Sequence, residues 1–335
     1  MALYTARLSQ HLTAVEEAIT AWLPSEKDGV APLMAYACEG GGKRIRPVLL
    51  TEFCRLCGGD TKRALPFAAA IEYIHSYSLV HDDLPCMDNS PLRRGKPSVH
   101  AAYGETMALL AGDALLNRAF EVMLCPEAAK GMEERALRAA NELADRAGIY
   151  GMIGGQVLDL ASEGKQIDLA TLQALQEGKT AALLTAACRM GAILGGGTKA
   201  QIEAAGNYGY YLGLCFQIVD DILDVTATAE ELGKPVGSDD ENEKSTYVSL
   251  LGLEEARRVA ADYTEQAKAA LTAFSDERAD LVALADAVLV RTLVHRTSSQ
   301  SQRLAQEYSL AAAQKIRAQT QERFAKQVVS LVVSV

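Results

Sequence analysis

The sequence predicts an all-α fold, and three observations lead to that prediction. Hydrophobic residues make up 49% of the 335 residues, but much of this share is alanine, and aromatic residues account for only 6%. Alanine has the highest helix propensity, and Leu, Glu, Gln, Lys and Arg, also common here, follow it closely. Apolar residues recur at helical spacing along the chain. No alternating run with hairpin-turn chemistry indicates a strand.

Helical periodicity is clear in segments 107–124, 136–147 and 255–271. In the last segment an apolar stripe is formed by Ala256, Val259, Ala260, Tyr263, Ala267 and Ala270. Polar breaks containing glycine or proline separate the helices at 24–29, 40–42, 58–60, 195–197 and 227–244. The last break is long and acidic, which predicts a mobile surface loop. No linker divides the chain, so we predict one domain over 1–296, followed by an atypical tail over 297–335 without an assigned role.

Charge and composition limit the partners of this protein. The formal net charge of −10 and the isoelectric point near 5.1 argue against nucleic-acid binding. Neither a signal peptide nor an apolar run of roughly 18–20 residues is found, which predicts no integral membrane segment. Seven scattered cysteines and the absence of a signal predict a reducing, cytoplasmic location. Cys54 and Cys57 form a lone CxxC, most simply two cysteines of one helix.

Two aspartate clusters carry the functional information. The first contains Asp82, Asp83 and Asp88, and the second contains Asp220, Asp221 and Asp224. In the second cluster, carboxylates four residues apart project from one face of a helix. In the first, Pro85 disfavours helical geometry at the preceding residue, so a turn could return Asp88 to Asp82. Either cluster alone could cap a helix or lie on a solvated face. Both, however, follow apolar runs, where repelling carboxylates are costly and hard cations such as Mg²⁺ would offset that cost.

A set of cations accompanies the aspartates. Glycine-rich residues 41–47 place Lys43, Arg44 and Arg46 directly after a turn, and residues 92–97 add Arg93, Arg94 and Lys96. Lys179, Lys234 and Lys244 lie in or beside predicted loops. Lysine and arginine are the usual phosphate ligands, although Arg44 or Lys244 could equally be a solvated surface charge. Together the two residue types indicate a protein that handles diphosphates.

These motifs resemble those of a known family. In order, GGKRIRP, HDDLPCMDN, LRRGKP, GGQVLDL, GKT, FQIVDDILD and KSTY resemble the trans-isoprenyl diphosphate synthases, with the greatest likeness to bacterial farnesyl diphosphate synthases and short-chain geranylgeranyl relatives. The resemblance covers roughly residues 1–294. It implies an isoprenoid synthase fold, a single helical bundle around a central cavity, and a homodimer. Asn89, Ser90 and Pro91 replace residues that are often acidic in the family, which leaves the metal positions intact.

The resemblance also implies roles for individual residues. Three Mg²⁺ ions would be held by Asp82, Asp88 and Asp220, with Asp83, Asp221 and Asp224 acting through water. The diphosphate of the allylic substrate would be bound by Arg93, Lys179 and Lys234. The diphosphate of isopentenyl diphosphate would be bound by Lys43, Arg46, His75 and Arg94, with Lys244 as a further substrate-binding candidate. Gln217 would orient the metal shell, and Thr180 would lie near the reacting carbons. His75 could equally be a core histidine.

The implied reaction is a head-to-tail condensation of isopentenyl diphosphate with dimethylallyl or geranyl diphosphate through an allylic carbocation. Tyr77, five residues before Asp82, and the adjacent Ser78 are the candidates that set chain length. A bulky residue about one helical turn below the metals is expected to stop growth at C15, farnesyl diphosphate. A C20 product remains the alternative, as does a non-catalytic subunit. The aspartates of the second cluster argue against a terpene cyclase, whose second metal motif normally uses Asn, Ser or Thr, and Glu.

Overall fold

A computed structural model describes residues 3–39, 41–226, 245–274 and 276–290. The α-helices in these residues are α1 (Ala6–Ala21), α2 (Ala31–Cys38), α3 (Ile45–Leu56), α4 (Thr61–Asp82), α5 (Val99–Tyr103), α6 (Glu105–Leu124), α7 (Pro126–Ala129), α8 (Glu133–Ala147), α9 (Met152–Ser162), α10 (Leu169–Gln176), α11 (Ala182–Leu194), α12 (Lys199–Thr226), α13 (Tyr247–Leu251), α14 (Leu253–Ala270) and α15 (Ala279–Val290). A π-helical turn (Glu177–Ala181) joins α10 to α11, and two 3₁₀ turns (Leu271–Ala273 and Asp276–Arg278) precede α15. The predicted all-α class is confirmed.

Local chemistry accounts for several helix ends. The Asp60 carboxylate accepts from the backbone N–H of Lys62 at 3.0 Å and so begins α4. Asp168 begins α10 in the same way, accepting from Thr171 at 2.8 Å. The four breaks predicted at 24–29, 40–42, 58–60 and 195–197 all fall between helices. The fifth, at 227–244, lies outside the described residues, as does the tail 297–335.

Helix α4 lies at the centre of the core. Every residue from 67 to 74 is buried, because α1, α3 and α6 pack around this helix. Alanines at 68–70 permit such close packing on all sides. Helices α11 and α12 form the other main layer, with α3 and α8 against α11 and α14 against α12. The described residues up to Leu289 belong to one unit.

One short hairpin corrects the expectation that no strand forms. Strands β1 (Leu92–Arg93) and β2 (Lys96–Pro97) pair antiparallel around Arg94 and Gly95. Both turn residues have positive φ angles, 54° and 76°, as a two-residue hairpin turn of type I′ requires. Strands of two residues are too short to show alternation, which is why the sequence pattern does not reveal them.

Candidate active site

The first aspartate cluster closes into a turn at the end of α4. The helix ends at Asp82, and the backbone N–H of Asp88 then donates to the Asp82 carbonyl at 2.9 Å. Asn89 follows with a left-handed φ of 47°. The predicted turn that returns Asp88 to Asp82 is therefore confirmed.

Asp82 carries its carboxylate at a partly desolvated position. Its pKa is raised to about 6, mainly by burial; the charge of Lys179 opposes this rise, and the charge of Asp88 adds to it. In the described part of the chain, no three His, Cys, Asp or Glu side chains form a complete cation cage. Mg²⁺ is usually held by one or two carboxylates together with water and phosphate oxygens, so the Asp82 and Asp88 carboxylates fit this ion without such a cage.

Asp83 has a different partner. Its carboxylate is only 2% exposed, and it accepts from Nη2 of Arg93 at 2.5 Å and from Nε at 3.1 Å. The ion pair anchors the hairpin to the end of α4. Arg94, in the hairpin turn, donates instead to the carbonyl of Gly41. The two adjacent arginines therefore contact different parts of the site.

Lys179 and Thr180 lie on the π-helical turn. Such turns place side chains out of the regular helical register and occur often at functional sites. The Lys179 ammonium contacts the Asp159 carboxylate at 2.5 Å, and the charges of Asp82 and Asp88 also act on it. Helix α9 brings Asp159 this close because a Cβ at Gly155 would lie 2.2 Å from the backbone nitrogen of Lys179. Only glycine fits there.

The second aspartate cluster continues the regular helix α12. Asp220 is half-buried, whereas Asp221 and Asp224 are buried. An oxygen of Asp221 accepts from the backbone N–H of Tyr247 at 3.0 Å, at the start of α13. This carboxylate therefore also fixes the start of α13, the first described helix after Thr226.

Gln217 connects the second cluster to the π-helical turn. The Thr180 hydroxyl donates to its side-chain oxygen at 3.1 Å, and its side-chain nitrogen donates to Asp221 at 3.3 Å. The helices are close enough because a Cβ at Gly213 would lie 2.6 Å from the Cα of Ala181. The π-helical turn thus lies between the two clusters: Lys179 is beside the first, and Thr180 reaches the second.

A cavity of about 130 Å³ opens at this junction, lined by Asp159, Lys179, Thr180, Gln217, Asp221, Thr246 and their neighbours. A larger cavity of about 370 Å³ lies elsewhere, between the ends of α3 and α11 and the start of α8. None of the site residues predicted from the sequence lines the larger one. The smaller cavity is therefore associated with the predicted chemistry, as is a third cavity of about 30 Å³ that Asp83, Arg93 and Arg94 line.

A second group of predicted residues includes Arg46, His75 and Arg94, whose charges act on one another. With Lys43, which lies just before α3, we call these residues the arginine cluster. His75, half-buried on α4, has a pKa well below its ordinary value because of burial and the charges of Arg46 and Arg94. Burial also lowers the pKa of Arg46, and Arg94 lowers it further. The Nε of Arg46 is buried and finds no hydrogen-bond partner within the described residues. The Lys43 ammonium lies 4.9 Å from the centroid of the Phe216 ring.

Arg44 corrects one expectation from the sequence. It is neither a solvated surface charge nor open to a phosphate, because its side chain is 1% exposed and ion-paired with Glu72 and Glu16 at 2.7 and 2.8 Å. Tyr77 and Ser78 lie on α4; Tyr77 is 5% exposed and packs edge-on against His81. The predicted ligands Lys234 and Lys244 lie outside the described residues.

A profile of the polyprenyl synthetase family matches residues 28–284, more than half of the chain. The protein belongs to the polyprenyl synthetase family. It is a prenyltransferase of isoprenoid biosynthesis and has the isoprenoid synthase fold.

Three similar proteins illustrate the range of this family. Geranylgeranyl pyrophosphate synthase 11 of Arabidopsis thaliana, a chloroplastic protein, is 49% identical over 76% of this chain and 73% of its own length. The crystal structure of an FPP/GFPP synthase from Zymomonas mobilis matches with a TM-score of 0.75 and 38% identity, covering 84% of this chain and 97% of that one. The polyprenyl synthase from Caulobacter crescentus, complexed with calcium and isoprenyl diphosphate, matches with a TM-score of 0.72 and 30% identity, covering 86% and 98%.

No described helix of this polyprenyl synthetase is long and apolar enough to cross a membrane. Its site also contains residues that the sequence analysis did not assign. Asp159 lies in the quoted motif GGQVLDL but has no neighbouring signal that points to Lys179, twenty residues away. Glu72 lies among apolar residues of α4. The signal in the sequence was a lone acid surrounded by Ala, Ile and Tyr, which indicates a buried carboxylate that needs a partner.

Proposed function

We propose that this polyprenyl synthetase condenses isopentenyl diphosphate head to tail with allylic diphosphates, and that its product is the C20 geranylgeranyl diphosphate. The observation that carries the reaction is the position of the π-helical turn. It links the two aspartate clusters, while the arginine cluster forms a second cationic group on α4, at the start of α3 and in the hairpin turn. Two diphosphates can therefore be held apart by different residues.

In this proposal Asp82, Asp88 and Asp220 hold three Mg²⁺ ions, and Asp83, Asp221 and Asp224 support them through water. The raised pKa of Asp82, caused first by burial and then by the charge of Asp88, supports a cation there, because a positive ion offsets both costs of keeping the carboxylate charged. The Caulobacter crescentus relative, complexed with calcium and isoprenyl diphosphate, supports a divalent ion beside a diphosphate. When bound, the metal ions neutralise charge on the departing diphosphate.

The side chains of this protein bind and orient the two substrates in the remaining steps. Arg93, Lys179 and Lys234 bind the allylic diphosphate, whose C–O bond breaks to leave an allylic carbocation. Lys43, Arg46, His75 and Arg94 hold isopentenyl diphosphate so that its double bond attacks that cation, which forms the new C–C bond. The released diphosphate accepts the proton lost from the product. Gln217 and Thr180 orient the groups between the two substrates, and Lys244 adds a further substrate contact.

The C20 product rests on the relatives. Several plant relatives that are 45–49% identical to this chain are geranylgeranyl pyrophosphate synthases. A C15 product is the second candidate, and Tyr77 favours it. This bulky, buried residue lies on α4 about one turn before Asp82, where it would close an apolar tunnel below the metals.

A product analysis distinguishes the two. Purified protein is supplied with Mg²⁺, labelled isopentenyl diphosphate and dimethylallyl diphosphate, and the dephosphorylated alcohols are separated by length. We expect geranylgeraniol. Farnesol would overturn the C20 proposal, and Tyr77→Ala should then lengthen the product. The absence of elongation from both dimethylallyl and geranyl starters would indicate a non-catalytic subunit.

We further propose a cytosolic homodimer. The support for a dimer is an exposed apolar face on α9 and the turn before it, where Tyr150 is 86% exposed and Val157 is 62% exposed. Exposed apolar patches of this kind commonly mark protein interfaces.

A further inference from the structure

A buried carboxylate, Glu72, lies on α4 three residues before His75 of the arginine cluster. Glu72 is 1% exposed and sits within the fully buried stretch of α4. A buried carboxylate is stable only when it is paired, and its partner is Arg44, whose Nη1 lies 2.7 Å away. His75 follows Glu72 by three residues, so both side chains lie on one face of the helix. The acid therefore contacts Arg44 and shares a helix face with His75. Its charge also acts on Arg46 and Arg94.

Arg44 joins four helices through its guanidinium. Nε and Nη2 donate to Glu16 of α1 at 2.8 and 3.3 Å. Nη2 also donates to the carbonyl of Cys38, the last residue of α2, at 2.6 Å. Glu72 of α4 supplies the remaining contact, and Arg44 itself begins α3. These contacts hold Arg44 in place, and Arg44 in turn holds the end of the segment that joins α2 to α3.

One described residue of the loop between α2 and α3, Arg44, has an unfavourable backbone conformation. Gly41, Gly42 and Arg44 all have positive φ angles, of 79°, 137° and 45°. The left-handed region is disfavoured for a residue with a Cβ, so Arg44 persists there only because its surroundings hold it. The carbonyls of the loop are also held: Gly41 accepts from Arg94 and Lys43 accepts from the Tyr4 hydroxyl. Lys43 and Arg46 flank Arg44, so its position decides theirs.

Glu72 also acts on the cluster by its charge. Burial lowers the pKa of both Arg46 and Arg94, and the negative charge of Glu72 opposes that lowering in each case. Without this carboxylate, three arginines would face one another with no buried counter-charge. The arrangement leaves the cluster positive enough to receive a diphosphate while keeping its arginines side by side.

We propose that Glu72 is a positioning residue for the isopentenyl diphosphate site. Through Arg44 it fixes the loop that carries Lys43, and as a buried counter-charge it holds Arg46 and Arg94 together. This inference rests on the proposed function. It concerns affinity for one of the two substrates and predicts an effect that a general loss of stability would not produce.

Steady-state kinetics of Glu72→Gln test the inference, because the amide keeps the shape and removes the charge. The KM for isopentenyl diphosphate should rise about tenfold, which is typical of a lost charge-assisted hydrogen bond, while the KM for dimethylallyl diphosphate stays within about threefold. Glu16→Gln is the matched control. It removes another carboxylate from the same guanidinium, but the Glu16 side chain is 43% exposed, so the rise should be smaller. Equal rises in both KM values for Glu72→Gln, or none, would overturn the inference.

A second variant covers the case in which Glu72→Gln does not fold, as judged by thermal unfolding. Glu72→Asp keeps the charge and withdraws it by one methylene. Its KM for isopentenyl diphosphate should rise above the wild-type value, by less than the rise of about tenfold expected for the loss of the charge, with the dimethylallyl value unchanged. A wild-type KM for isopentenyl diphosphate in Glu72→Asp, together with a Glu72→Gln that fails to fold, would assign Glu72 to stability alone.

Calorimetric titration of inorganic pyrophosphate without Mg²⁺ separates this inference from the proposed function, since it requires no turnover. The affinity should fall about tenfold in Glu72→Gln. If wild-type protein makes no prenyl chain and this fall is still seen, the proposed function fails and the positioning role stands. If wild-type protein elongates chains and both proteins bind pyrophosphate equally, the positioning role fails instead.

Discussion

Two cationic regions of this polyprenyl synthetase differ in how their positive side chains are paired with carboxylates. Beside the first aspartate cluster, Arg93 contacts Asp83 and Lys179 contacts Asp159. In the arginine cluster, by contrast, Arg46 lies beside other cations, and its Nε has no hydrogen-bond partner within the described residues. The same residue types are therefore neutralised in one region and left positive in the other.

The difference indicates how each region would bind a diphosphate. Where carboxylates exceed cations, an anion binds only together with metal ions that reverse the local charge. Where cations exceed carboxylates, a diphosphate binds directly. We therefore expect allylic substrate to require Mg²⁺ and isopentenyl diphosphate to bind without it. Three experiments test this contrast.

The largest effect is expected from Asp82→Ala. Loss of a metal ligand should lower kcat about 10³-fold, because several kcal/mol of charge stabilisation are removed. Mg²⁺-dependent binding of dimethylallyl diphosphate should be lost, while affinity for isopentenyl diphosphate stays within about threefold. Turnover is measured with labelled substrate, and Asp145→Ala, an exposed change on α8, is the control. Intact turnover in Asp82→Ala would refute the metal assignment.

A smaller effect, on the other substrate, is expected from Arg46→Gln. The KM for isopentenyl diphosphate should rise about 30-fold, the size expected for a lost hydrogen bond between two charged groups, without change in the Mg²⁺ requirement. Arg93→Gln should instead raise the KM for dimethylallyl diphosphate. Both are read from initial rates with one substrate varied at a time. If the two variants affect the same substrate, the two regions are not separate sites.

The smallest effect concerns the pH dependence of stability. Burial and the charges of Arg46 and Arg94 hold the pKa of His75 well below its ordinary value. Below about pH 6.5 the unfolded chain binds a proton here that the folded protein does not, so the free energy of unfolding falls by up to about 1.4 kcal/mol per pH unit. The loss ends below the folded pKa. Urea unfolding at pH 7.5 and 5.5 should show a smaller fall for His75→Gln. An equal fall in both proteins would place His75 outside the cationic surroundings described above.

Much of the fold follows from local features of the sequence. Helical spacing locates α6, α8 and α14, and short polar breaks separate α3 from α4 and α11 from α12. Pro85 indicates the turn that joins Asp82 to Asp88. The hairpin at 92–97 does not follow from the pattern, since its strands are too short. The π-helical turn is also invisible to periodicity, because it depends on Gly155 and Gly213 bringing two other helices against it.

By itself, the sequence determined that the protein is helical, that it carries two aspartate clusters and that cations accompany them. Only the tertiary structure decided which cations are neutralised. Arg44 and Arg46 are two residues apart and look equivalent in GGKRIRP, yet one is paired with Glu72 while the Nε of the other stays unpaired among the described residues. The reason is physical: a buried charge must be paired by whichever residue the packing brings to it, and Glu72 comes from another helix, 28 residues away.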